Sequence, residues 1–431
     1  MKQGLATELA PSPSVVYPHF IFSTLAFLFL AIFTILAGNE LTAPYFAGKT
    51  LALTHFATLG WISMAIFGAL YQLIPVVMEV ALYSEKLAKT TFVLFAIGII
   101  LLIYDFWMND FGVILITAST LLLTAILMFS FNIVMTAKAT KKWNIESSLI
   151  ISSVTWLSTT AILGFLISIN FKYPFLSTVH LEYLKAHSHT GMVGWFMLLI
   201  IGVGAVLLPM FFLSHNLDRR RLNWAFYLIN SGLLLFFIDT VFVHLNIFIV
   251  PAILIAAGVF SFMLYVHQSY KKRVRKVLDI PMKHSVVSIV LLFLPMLLAF
   301  FISLAKNVPF GIMNRIIILY GVSILIGFIA SLILGQAYKT LPFIIWLHKY
   351  QDYVGKYKTP LPKDIYSEKI LDWQYWAYLA TVITLFSGLI SGFDWLIQIG
   401  TYLLLLTAIL YNFNIYKMFT HKVKQENLQK L

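Results

Sequence analysis

The sequence predicts an all-α polytopic membrane protein, with twelve transmembrane helices in three four-helix repeats forming a pseudo-threefold bundle. Three observations carry this reading. The chain is 60% hydrophobic and only 11% charged, far from the composition of a soluble globular domain. Its apolar runs have about the ~20 residues that a spanning helix needs. One motif returns along the chain at a fixed offset.

That motif is THFATLGWISMAIFGALYQLIP, Thr54 to Pro75, which returns as SHTGMVGWFMLLIIGVGAVLLP, Ser188 to Pro209. His55, Gly60, Trp61, Gly68 and Pro75 become His189, Gly194, Trp195, Gly202 and Pro209, an offset of 134 (189 − 55). A third copy, Val322 to Pro342, keeps Gly327, Gly335 and Pro342. There Phe328 replaces the Trp and Val322 stands in the place of the His. Self-similarity at a fixed offset marks a chain built from repeated units. A period this long suits a bundle of membrane helices repeated in parallel. Trp61, Gly68 and Pro75 are seven apart and share one helical stripe, along which the Gly permits close approach of a neighbour. His55 lies about 120° off that stripe at about 100° per residue, so packing face and histidine face are separate.

In chain order the predicted spans lie near Val15–Leu36, Leu51–Val77, Thr90–Phe106, Phe111–Thr136, Ser147–Ile169 and His189–Leu213. Then come Leu222–Phe242, Asn246–Val266, Ser285–Ser303, Ile312–Ile333 with an extension to Leu347, Tyr375–Ile390 and Phe393–Ile415. No long polar domain interrupts them, which makes 1–431 a single transmembrane domain with repeats at about 15–140, 145–270 and 283–418. The motif copies fall on the second, sixth and tenth helices, which therefore run in the same direction. Met1 to Ser14 is polar and lacks an apolar stretch followed by a cleavage site, so the first span is expected to be retained.

The loops give orientation. All but five of the 30 Lys and Arg residues fall on the side that bears both termini. They include Lys138, Lys141 and Lys142, Arg219 to Arg221, and Lys271, Lys272, Arg273, Arg275 and Lys276. The opposite side has Lys49, Lys172, Lys185, Lys306 and Arg315. The positive-inside rule then places both termini in the cytoplasm and the chain in the cell inner (cytoplasmic) membrane. The formal charge of +13 follows from this asymmetry, so the implied partner is the lipid bilayer and not nucleic acid. With no cysteine, the chain forms no disulfide, iron–sulfur cluster, thiolate copper centre or covalent c-type haem attachment.

The 11 histidines divide by side. His215, His267, His284, His348 and His421 fall toward the basic side and read as interfacial, as does His19 near the start of the first helix. His55 opens the second predicted helix, and His187 and His189 open the sixth. His180 sits in the loop before the sixth helix and His244 at the end of the seventh, with Asp105, Glu182 and Asp239 at the same outer level. Ionisable residues at membrane depth are costly and usually face an interior or an aqueous cavity. Histidine is also the usual nitrogen ligand of haem, copper and zinc. His55, His187 and His189 are therefore candidate cofactor ligands, and the same three with His244 are candidate metal ligands. A hydrogen-bonded histidine pair in a helix interface is the plainer alternative. His187 and His189, about 200° apart on a helix, face opposite ways.

Twelve helices in three repeats, a cytoplasmic N-terminus and histidines on the second and sixth helices resemble the haem–copper oxidase subunit I superfamily. In that family the second helix supplies a low-spin haem ligand and the sixth a copper ligand. The seventh adds an adjacent His pair, and the tenth a His-x-His that binds both haems. Carried onto His55, His187, His189 and the Gly/Pro skeleton, the resemblance implies a haem- or copper-binding redox protein of the membrane. It implies a b-type haem, copper as a further cofactor, nitric oxide or oxygen as the small gas ligand, and a haem-dependent oxidoreductase activity with no electron donor named. The chain departs from the pattern in having no His-His and no histidine on the tenth helix. Its His-x-His is His187-Ser188-His189 on the sixth, so the complete oxygen-reducing centre does not carry over. In size, span count and scattered histidines the chain is also similar to the NnrS family, which is associated with haem, copper and resistance to nitric oxide. Two other readings remain: a metal or proton permease without redox chemistry, and a non-catalytic assembly or structural subunit that kept the oxidase fold.

The topology is testable with reporter fusions. A fusion at Asn109 should report the outer side and one at Lys141 the cytoplasm. The reverse pattern would overturn the orientation.

Overall fold

A chain segment surrounded by hydrocarbon must satisfy its backbone polar groups internally, which an uninterrupted apolar run does by becoming helical. The computed structural model describes residues 9–141, 143–176, 180–274 and 276–423; Lys142 and Arg275 of the basic loops lie outside the described residues. It is all-α, with twelve long helices in the order expected. These are α1 (Pro13–Ala37), α2 (Gly48–Pro75), α3 (Glu85–Met108), α4 (Val113–Lys138), α5 (Ile145–Lys172) and α6 (His180–Phe212). They continue as α7 (Arg220–Val243), α8 (Ile249–Lys271), α9 (Ile280–Leu304), α10 (Phe310–Tyr353), α11 (Glu368–Ser391) and α12 (Asp394–Phe419). Among the described residues, 11 of these are long and apolar enough to cross a membrane. The other, α11, is 24 residues long but carries Gln374, Tyr375, Trp376 and Tyr378 in its first half.

Two boundaries differ from expectation for a physical reason. α6 begins at His180 and not near His189, because the polar stretch HLEYLKAHSH is helical, with Glu182 in its first turn paired to Lys185 at 2.7 Å. His187 and His189 consequently lie about two turns inside the helix instead of opening it, and His180 is its first residue instead of part of a loop. α10 is 44 residues long and carries Pro342 within it.

Each motif copy contains the same interruption. α2 passes from α-helix at Gly48–His55 into π-helix at Phe56–Ser63 and back. α6 does so at Thr190–Met197 and α10 at Ser323–Ile329. The π segments begin one residue after His55, His189 and Val322, so the repeat is one of backbone geometry as well as of residues. π segments are rare and frequently mark functional sites.

The described chain divides into two units. One comprises Ile66–Val277 with Met1–His19 and Met296–Val308. Within it α3 packs on α4, α4 on α5, α5 on α6 and α7 on α8, with Ser119 and Ser168 hydroxyls 2.6 Å apart between α4 and α5. The other comprises Phe20–Ala65, Leu278–Pro295 and Pro309–Leu431, of which 424–431 are not described. Within it α11 packs on α12, α9 on α10, and the π segments of α2 and α10 touch. Asn314 on α10 holds the turn after α1 by donating to the Thr42 and Ala43 carbonyls and accepting from the Tyr45 N–H at 2.8 Å.

The conserved spacing of the motif glycines reflects close helix approach. A Cβ on Gly335 would lie 2.6 Å from the Pro281 carbonyl oxygen and 2.6 Å from the His284 Cβ on α9. Gly335→Ala should therefore destabilise by about 1–3 kcal/mol through overpacking. Gly311→Ala, with nothing within 4 Å, should be close to neutral. Thermal midpoints of the two variants in detergent compare them directly.

Candidate functional site

His55 closes the first α-helical part of α2. Its Nδ1 lies 2.8 Å from the carbonyl of Leu51, four residues back. A carbonyl can only accept, so Nδ1 carries the proton and the lone pair resides on Nε2. His189 repeats the arrangement, with Nδ1 2.9 Å from the carbonyl of Lys185, again four residues back. Its ring lies against that of Phe236 on α7, with centroids 4.5 Å apart. Both histidines are half-buried, and both sit immediately before a π segment. Just beyond them Trp61 and Trp195 are 0% and 1% exposed, so each imidazole is followed by a water-excluding indole.

His187 is held differently. Its Nδ1 lies 3.0 Å from the Thr160 carbonyl of α5. A Cβ on Gly164 would fall 2.8 Å from its Cε1, so that glycine leaves the slot for the ring. Thr160 also donates to the Thr190 hydroxyl at 2.9 Å, fastening α5 to the start of the π segment. His187 thus faces α5 while His189 faces Phe236 of α7, the opposed directions expected from their spacing.

The remaining outer residues serve the chain's turns. Asp239 accepts from the Leu245 N–H at 2.8 Å and the Ile247 N–H at 3.0 Å, while its carbonyl takes the His244 N–H. Asp105, 134 residues earlier (239 − 105), accepts from the Phe111 N–H at 3.2 Å and gives its carbonyl to Asp110. Both aspartates terminate a helix hairpin at the same place in consecutive repeats. His244 itself is exposed at a left-handed helix terminus, with φ at 60°. His180 lies beside Phe171 and within 3.2 Å of the Asn170 amide. Among the described residues no group of three or more His, Cys, Asp or Glu side chains could hold a metal ion.

Two further histidines, expected at the interface, are instead fully buried. His19 and His284 are both 0% exposed. His19 donates Nδ1–H to the Val15 carbonyl at 2.8 Å and packs against the rings of Tyr71 and Phe92. His284 packs edge-on to Tyr375 and beside Tyr378. In each, Nε2 has no hydrogen-bond partner. They occupy equivalent positions. Four residues after them, Ser23 donates to the Trp61 carbonyl at 2.9 Å and Ser288 to the Phe328 carbonyl at 2.8 Å. In the second repeat the matching serine is the buried Ser153, and the histidine position holds Leu149, which meets Gly202 as His284 meets Gly335. The signal in the sequence was the paired His-x-x-x-Ser, HFIFS and HSVVS, on the first and ninth helices.

No protein-family model matches the chain, and no curated protein matches it by sequence. A solved structure does. A heme-copper terminal oxidase dimer determined by cryo-EM matches over 97% of this chain and 85% of its own, with a TM-score of 0.63. The chain has the haem–copper oxidase fold. At 10% identity the likeness lies in the fold, and the residues at each position are this chain's own.

The buried histidines give a direct test. Leu149 shows that leucine fits the equivalent place, and an unpartnered buried imidazole nitrogen costs about 1–3 kcal/mol. His284→Leu should hold or raise the thermal midpoint. A fall of several degrees would mean that the ring makes bonds the fold requires.

Proposed function

We propose that this protein is a haem-binding redox protein of the cytoplasmic membrane, with both termini in the cytoplasm, that takes nitric oxide or oxygen as its small ligand. The observation that carries the proposal is the shared state of His55 and His189. Each has its Nδ1 proton tied to the carbonyl four residues back, at the entrance to an equivalent π segment, on the second and sixth helices of an oxidase fold. A hydrogen bond of this kind fixes the tautomer and orientation of a ligating imidazole and raises its basicity. In this reading the Leu51 carbonyl orients His55 and the Lys185 carbonyl orients His189, Phe236 limits the rotation of His189, and Trp61 and Trp195 each exclude water beside their own histidine.

Each ring by itself fits a b-type haem, which can be held by a single imidazole and no cysteine. When bound, such a haem would supply one-electron chemistry and a place for a diatomic gas. His187, turned toward α5 and seated in the Gly164 slot, would serve a different site or support its neighbour. Copper bound by three side chains is not supported by the described residues, and His244 is best read as a turn residue.

A second reading has its own support. The third motif copy keeps the π segment but has Val322 where the histidine stood, so this backbone geometry does not require a ligand. A non-catalytic assembly or structural subunit that kept the fold would look the same.

Spectra separate the two. Membranes carrying the wild-type protein should give a Soret band and a pyridine haemochrome of b type. His55→Ala and His189→Ala should each lower the haem content at least severalfold while the protein still inserts. Wild type without haem, or both variants with full haem, would sink the redox reading and leave the subunit reading.

A further inference from the structure

The basic loops of the second repeat carry chemistry that a haem site leaves unassigned. α6 ends at Phe212, α7 begins at Arg220, and α8 ends at Lys271. The segments that follow α6 and α8 are fastened together. The Val274 N–H donates to the Phe212 carbonyl at 3.2 Å, Lys272 Nζ to the Asn216 carbonyl at 2.5 Å, and the Asp218 N–H to Gln268 Oε1 at 3.2 Å. Beneath them the Ser214 and Ser269 hydroxyls are 2.6 Å apart. A charge run is usually just a solvated determinant of topology. Here two runs from separate loops are braced into one surface.

The cations on that surface divide into held and outward-facing ones. Arg219 is paired with the buried Glu146 at 3.2 Å, and Arg221 lies 3.9 Å from Asp218. Arg273 stacks 3.9 Å above the Tyr270 ring. Arg220, Lys271 and Lys276 are exposed. Beside the paired Arg219 and Glu146 lies a cavity of about 300 Å³, lined also by Pro209, His215, Asn216 and Tyr265. The same surface exposes apolar side chains that water would not favour. Val274 and Val277, next in sequence to Arg273 and Lys276, are 66% and 80% exposed. Trp224 and Tyr227, one and two turns along α7 from Arg220, are 61% and 63% exposed. Tryptophan and tyrosine at that level belong to the headgroup region of a bilayer, and clustered cations attract anionic lipid there.

We propose that this surface binds the phosphodiester headgroup of an anionic phospholipid, with Arg220, Lys271 and Lys276 on the phosphate and the acyl chains along Trp224 and Tyr227. The charge argues for an anion, and the exposed valines and aromatic rings argue for one that carries lipid chains. The braced loops hold the cations in place before the lipid arrives, which lowers the ordering cost of binding.

The test uses the full-length protein in dodecyl maltoside, with thermal midpoints recorded during titration with dioleoylphosphatidylglycerol, dioleoylphosphatidylcholine or inorganic phosphate. Phosphatidylglycerol should raise the midpoint and the other two should not. The triple variant Arg220→Gln, Lys271→Gln, Lys276→Gln should need roughly fivefold more phosphatidylglycerol per cation removed for the same rise. Equal responses to both lipids, a response to phosphate matching that to phosphatidylglycerol, or a variant that responds like wild type would each overturn the proposal. If the variant does not fold, the wild type still decides. Its response should fade toward about 1 M salt, where the screening length is about 3 Å, and a response that persists there overturns the proposal as well.

Discussion

The structure depends on how three helices break and recover their own hydrogen-bond ladder inside an apolar bundle. A π segment shifts the bonding pattern by one residue and frees backbone carbonyls, which in hydrocarbon must find a donor. In α2 and α10, hydroxyl groups on neighbouring helices supply it. Ser23 bonds the Trp61 carbonyl, Ser288 the Phe328 carbonyl, and Tyr378 the carbonyls of Ile326 and Gly327 at 2.9 and 2.7 Å. The same shift sets the histidines just outside the irregular turn, where an imidazole still finds a regular helical carbonyl four residues back.

The sequence disclosed the repeats, the number of helices and the opposed faces of His187 and His189, because offset and angular spacing survive any local distortion. It did not disclose the π segments. A one-residue bulge leaves hydropathy and glycine spacing unchanged, and nothing in FATLGWIS distinguishes π from α. The start of α6 was misplaced by a polar turn, since Glu182 and Lys185 look like a loop until their pairing on one helix face is seen. His19 and His284 read as interfacial from the level at which they fall in the sequence. Position along a span says nothing of which face the residue occupies, and both rings turn inward. In the sequence Asp105 and Asp239 are marked only by their outer level, and their common role in closing hairpins is evident from the N–H groups they accept.

The histidines therefore sort by what holds them. His55 and His189 share one restraint and one backbone setting, and a haem ligand role rests on that likeness. His187 depends on a glycine of another helix, and His244 on the turn that follows Asp239. Architecture shared with an oxidase constrains where such rings can lie, but the chemistry is decided by these local attachments.

The third copy carries an implication of its own. Val322 has nearly the backbone angles of His55 and His189, φ −64° and ψ −37° beside −73° and −30° and −75° and −35°. A histidine installed there would find the carbonyl of Ile318 at the same separation in sequence. The chain thus presents three like backbone settings, two of which carry an imidazole, and the third is a natural place to install another.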